Sequence, residues 1–139
     1  MNSQKQCRGV RGATVVERDT ADAVVMACAE LFSHMMRANG IHPEDIAAIV
    51  FTATTDLGAA FPAQAAEIGG FEAVPRICAQ EIDVPGGLER CLRILVLWNT
   101  ERSPADITHP YTNGAEVLSF ASAQPRSLLD SIEAQFPKD

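Results

Sequence analysis

The segment Leu88–Thr100 constrains this chain more than any other. It places Leu92, Ile94, Val96 and Trp98 at alternate positions, with Cys91, Arg93, Leu95 and Leu97 between them. Alternate side chains leave a strand on opposite faces, so this strand carries two faces that are both largely apolar. A chain of 139 residues has material for one domain. Its helices are expected to cover one face of the sheet, leaving the other to be buried by oligomerisation.

The other segments fit that plan. Cys7–Val16 is predicted as a strand, interrupted by Gly9 and Gly12, which weaken it or let another group approach its backbone. Thr20 is a good N-cap with Asp22 in the first turn, and Val24, Val25, Cys28, Leu31, Phe32 and Met35 share one helical face ending at Gly40. This Met and Phe stripe reads as core packing. Pro43 opens a short turn over His42–Ile46. Ala47–Thr54 is a continuous apolar run, as in a strand buried on both faces. A helix is expected from Pro62 to about Gly69–Gly70, a turn or short helix at Pro104–Ile107, and strands over Val74–Gln80 and Ala115–Leu118. The fold class is α+β, a mixed β-sheet with helices on one face. Residues 1–6 are expected to be disordered, 7–120 to form the domain and 121–139 a C-terminal tail. That tail is expected to be partly helical, from the spacing of Leu128, Leu129, Ile132 and Phe136, and to dock on a partner surface or stay mobile.

Composition narrows function. A chain that is 47% hydrophobic is not a disordered one. Net charge of −7, from 11 Lys+Arg against 18 Asp+Glu, argues against nucleic-acid or anionic-membrane binding. No apolar run approaches the roughly 20 residues of a membrane span, and Met1–Gln6 lacks the apolar core of a secretory signal. A cytoplasmic protein is expected. Cys7, Cys28, Cys78 and Cys91 are scattered, which suits reduced, buried thiols, and His34, His42 and His109 make no zinc set with them. No metal is expected.

Four places are unusual. Arg8-Gly9-Val10-Arg11-Gly12 puts two arginines of opposite parity in a glycine-containing strand, as solvated edge groups or as an anion site. Gln80, Glu81 and Asp83 crowd the end of an apolar strand before Pro85-Gly86-Gly87. Arg93 lies inside a strand rich in Leu, Ile and Val and needs a partner. Tyr111, in His109-Pro110-Tyr111, is the sole tyrosine. No Ser-His-Asp order, Walker loop or dinucleotide fingerprint is present.

Together these places resemble a known family. RGVRGATVVERDT at 8–20, FPA at 61–63, CAQEIDVPGGLERCLR at 78–93 and HPY at 109–111 are similar to the small, monofunctional Bacillus-type chorismate mutases. The resemblance implies a homotrimer enclosing a central core, with active sites in clefts between adjacent subunits. It also implies a pericyclic rearrangement of the dianion chorismate to prephenate, on the way to phenylalanine and tyrosine. No cofactor, metal or covalent intermediate is implied. By that resemblance Arg93 is the cation at the breaking ether bond, and Arg11 and Tyr111 contact a carboxylate. Glu81 and Cys78 meet the ring hydroxyl end, Phe61 and Ala63 line the apolar wall, and Leu118 completes the substrate site. Cys78 and Glu81 differ in strand parity, so a bend, a strand end or a bulge before Pro85 is expected to bring both to one ligand.

The chain also departs from the family pattern. Gln64 stands where many members carry lysine, an arginine just before Glu67 is missing, and Ser119 replaces an arginine of the C-terminal segment. Arg76 or, more remotely, Arg126 is a candidate replacement. The departures leave open an alternative: a diverged protein acting on or binding a related cyclohexadienyl acid such as isochorismate or prephenate.

Overall fold

A computed structural model describes residues 4–119 and 126–136. Strand β1 (Gln6–Val15) leads to helix α1 (Ala21–Asn39), and β2 (Ile46–Ala53), β3 (Arg76–Gln80), β4 (Cys91–Thr100) and β5 (Tyr111–Thr112) follow. They form one five-stranded sheet in the order β3-β2-β4-β1-β5. Strand β4 is antiparallel to both β1 and β2, while β3 runs parallel to β2 and β5 parallel to β1. The sheet is thus mixed, and its centre is the strand whose alternation was most pronounced.

Helix α1 forms where capping chemistry places it. Thr20 Oγ1 accepts from Ala23 N–H, and Gly40 takes the left-handed conformation at φ 68°, its N–H returning to Met36 O. The helix buries Val24, Cys28, Leu31, Phe32 and Met35 against Val10, Ile49, Phe51, Leu92, Ile94 and Val96. Each such large side chain contributes about 1.5–3 kcal/mol by leaving water. Gly12 answers the question its position raised: a Cβ there would lie 2.6 Å from Met35 Sδ, so the close neighbour is α1. Asn39, fully buried, donates to Met35 O and Thr108 O and accepts from Thr108 N–H, tying the helix end to the loop before β5.

Several expectations change. Lys5 Nζ pairs with Asp45 at 2.8 Å and Gln6 already pairs with Thr100, so order begins ahead of residue 7; residues 1–3 lie outside the described residues. Strand β2 buries Ile49 and Phe51 on one face only, and Val50 and Thr52 are half-buried on the other, because α1 covers one side of the sheet. The segment after Phe61 is a 3-10 turn over Pro62–Glu67, stopped where Gly69 and Gly70 take φ 84° and 91°. Ala115–Ser119 is a 3-10 turn rather than a strand, since positive φ at Asn113 and Gly114 reverses the chain before it. Cys7 and Cys78 are exposed, on the first residues of β1 and on the edge strand, whereas Cys28 and Cys91 are buried. Burial pushes the Cys28 thiol up to about 12. In the tail, α2 spans Arg126–Glu133; residues 120–125 and 137–139 lie outside the described residues. Among the described residues, no helix is long and apolar enough to cross a membrane.

Candidate active site

Five of the predicted site residues belong to the sheet face that α1 leaves open. Register places Tyr111, Ala13, Arg93 and Thr52 in one row across β5, β1, β4 and β2. Strands are spaced about 4.8 Å apart, so Tyr111 and Arg93 stand about 10 Å from one another across Ala13. Ala13 is fully buried and small, and forms an apolar floor with Cys91 and Ala115, against which Tyr111 and Leu118 pack. Arg11 lies two residues along β1 on the same face, and its side chain is exposed. Its backbone N–H donates to His109 Nδ1 at 2.9 Å. Burial, aided by the Arg11 charge, holds His109 below its ordinary value, which keeps Nδ1 available as an acceptor.

Arg93 has the partner that its position demanded. Its Nε contacts Glu81 Oε1 at 3.1 Å, with the arginine side chain 48% exposed and the glutamate 15%. Glu81 is held twice more: Oε2 accepts from Thr52 Oγ1 at 2.7 Å, and its N–H donates to Ala53 O. A short, charge-assisted chain therefore runs from β2 through Glu81 to Arg93 and fixes the guanidinium on the open face. The entry to β4 is also braced. Arg90, at φ 48°, donates its N–H to Asp56 and its Nε to Val16 O. Hydrogen bonding from Thr54 and from Arg90 N–H lowers the Asp56 carboxyl, outweighing its slight burial.

The other candidates lie elsewhere. Phe61, Ala63 and Cys78 line a groove at the β3 edge, together with Gln64, Glu67 and Arg76. Cys78 is in register with the core residue Phe51, on the helix-covered side, whereas Glu81 reaches Thr52 on the open side. Of the expected alternatives the strand end is the one that occurs, since β3 stops at Gln80 between Cys78 and Glu81; the sheet's register shift lies between Ile46 and Ala48 of β2. The predicted site residues thus fall into two groups on opposite sides of the sheet. Phe61 is 71% exposed at one of them. Thr52, Asn39 and His109 were not legible as site-building residues, because each acts on a partner 29 to 98 residues away in sequence. Among the described residues, no group of three or more His, Cys, Asp or Glu could hold a metal ion.

The class defined by fold and site is an α+β protein with an Arg–Glu pair and a tyrosine around an apolar floor on one open sheet face. The chorismate mutase type I family model matches residues 7–120, and the chain belongs to that family. It is 47% identical over 109 residues to the chorismate mutase AroH of Thermus thermophilus, covering 78% of this chain and 89% of that protein. It is 40% identical over 112 residues to the chorismate mutase AroH of Bacillus subtilis, covering 80% and 88% respectively. A solved chorismate mutase from Clostridium thermocellum superposes with a TM-score of 0.78 at 46% identity, covering 80% of this chain and 99% of that one.

Proposed function

We propose that the protein is a chorismate mutase, an isomerase that converts chorismate to prephenate, working as a homotrimer whose active sites lie between adjacent subunits. The observation that carries this reading is the division of the site. Arg11, Glu81, Arg93, Tyr111 and Leu118 belong to the open face, and Phe61, Ala63 and Cys78 to the edge groove, so the groove of one subunit must meet the open face of the next. Apolar surface for such contact is at hand: Ile77, in line with Val50 and Leu95 on the open face, is 63% exposed, and Ile82 and Val84 beyond β3 are 88% and 50% exposed. Burial of that face removes the water that the long two-faced strand cannot tolerate.

The chemistry asks for little beyond shape and charge. Chorismate must adopt a chair-like conformer, and holding it there removes part of the barrier. As the ether C–O bond breaks, negative charge grows on the enolpyruvyl oxygen, and a fixed cation stabilises that charge more than the ground state. Arg93 supplies it, oriented by Glu81 and Thr52 before substrate arrives. Arg11 and Tyr111 grip a carboxylate, Glu81 and Cys78 meet the ring hydroxyl end, and Phe61 and Ala63 exclude water. No cofactor is required. We infer a cytoplasmic step on the way to phenylalanine and tyrosine.

The test is a chorismate-depletion assay on the purified protein, with the product identified by mass and by acid conversion, alongside light scattering. Prephenate from a trimer is expected. A stable monomer that turns over chorismate would sink the shared-site reading. Glu67 in the groove favours a second reading, in which the ligand is a related cyclohexadienyl acid; efficient turnover of such an acid, with none of chorismate, is its signature.

A further inference from the structure

We propose that Arg76 binds a substrate carboxylate from the groove side of the cleft, giving up its ion pair with Glu67 to do so. This rests on the mutase reading above. Among the described residues lining the groove, Arg76 is the positively charged side chain and Glu67 the negative one. The two differ in how firmly they are held. Arg76 Nη1 donates to Glu72 O at 3.0 Å and to Val74 O at 3.2 Å, and the side chain is 19% exposed. Glu67 is 62% exposed and meets Arg76 Nη2 at 3.5 Å. A pair of that length with one partner largely in solvent is weak and readily exchanged. A ligand carboxylate can replace Glu67 at the guanidinium without disturbing the bonds that anchor the arginine.

The substrate's charge creates the demand. Chorismate brings two carboxylates into a cleft that loses water when the subunits meet, and a desolvated carboxylate needs hydrogen-bond donors or cations. On the open face Arg93 is committed to the ether oxygen, and Arg11 with Tyr111 serves one carboxylate. The second must be met from the groove. Gln64 offers an uncharged amide there, and Glu67 repels. Arg76, projecting from the edge strand, supplies the missing positive charge from a part of the chain different from the segment around Gln64 and Glu67. Glu67 then acts as an internal competitor that weakens substrate binding, and equally product binding.

Steady-state kinetics on the assembled enzyme, repeated at several salt concentrations, test this. A carboxylate changes charge little during the reaction, so loss of its partner belongs in KM. Arg76→Gln is expected to raise KM for chorismate about tenfold, with kcat changed less than about twofold. Its KM should also depend less on salt. Arg76→Lys, which keeps charge but not the fork, is expected to recover part of the loss. Glu67→Gln should lower KM roughly threefold in the parent and have no effect beside Arg76→Gln, as expected of coupled residues. A parent enzyme that turns over chorismate, with KM unchanged by Arg76→Gln, overturns the proposal and leaves the mutase reading standing. A fall in kcat without a rise in KM also overturns it, since that marks Arg76 as a brace for the Glu72–Val74 backbone alone. Should Arg76→Gln fail to assemble, Glu67→Gln decides by itself, and an unchanged KM refutes the exchange. No chorismate turnover by the parent protein overturns the mutase reading instead.

Discussion

Replacing Thr52 by valine keeps the shape of the side chain on β2 and removes the hydroxyl that Glu81 Oε2 receives at 2.7 Å. A hydrogen bond to a charged group is worth about 1.5–3 kcal/mol net. Glu81 is 15% exposed, so solvent replaces the lost donor poorly, but Arg93 still contacts Oε1 and is itself 48% exposed. Solvent screening of the pair puts the loss near the low end, about 1.5 kcal/mol. If that bond serves to hold the Glu81–Arg93 chain ready for the transition state, the loss falls on kcat as roughly a tenfold decrease. The assay is chorismate consumption under saturating substrate, with thermal unfolding measured on the same sample. Thr52→Ser, which restores the hydroxyl, is expected to return most of the activity. A Thr52→Val protein that folds and keeps parental kcat would refute the idea that Glu81 acts by orienting Arg93.

Arg93→Gln removes the cation assigned to the ether oxygen; kcat is expected to fall about 10²–10³-fold with a smaller change in KM, read by the same assay. Gly12→Ala pushes a methyl to within 2.6 Å of Met35 Sδ in the core, and denaturant unfolding should register a loss of about 1–3 kcal/mol. His109 is depressed in the folded state, mainly by burial, so the unfolded chain binds its proton more readily. Its contribution is complete above the ordinary value of 6.5 and is lost as pH falls below it; the urea midpoint should drop in that window, and less so in His109→Gln.

The local chemistry of this chain was largely legible before its fold. Thr20 and Gly40 bracket the helix as expected, and the alternation through Leu92, Ile94, Val96 and Trp98 marks the central strand correctly. Capping and period-two patterning act over a few residues, so they survive being read without tertiary context. Where the sequence misled, a turn or the placement of another element had intervened. Ala115–Leu118 has strand-like composition, but Asn113 and Gly114 at positive φ turn the chain into a 3-10 segment. Ala47–Thr54 looks fully apolar, and only the position of α1 decides which of its two faces is dry.

What the sequence determined by itself was the family, the central strand and the residue types of the candidate site. The tertiary structure alone decided their grouping. It showed that Arg93 is partnered by Glu81, which Thr52 holds in turn, that the Arg11 backbone N–H donates to His109, and that Arg76 faces Glu67 in the groove. It also put Cys78 and Glu81 on opposite sides of the sheet, with the end of β3 between them. The physical reason is range. Propensity and periodicity are set by neighbours along the chain, whereas an ion pair or a half-site is set by strand register and by which face a helix covers.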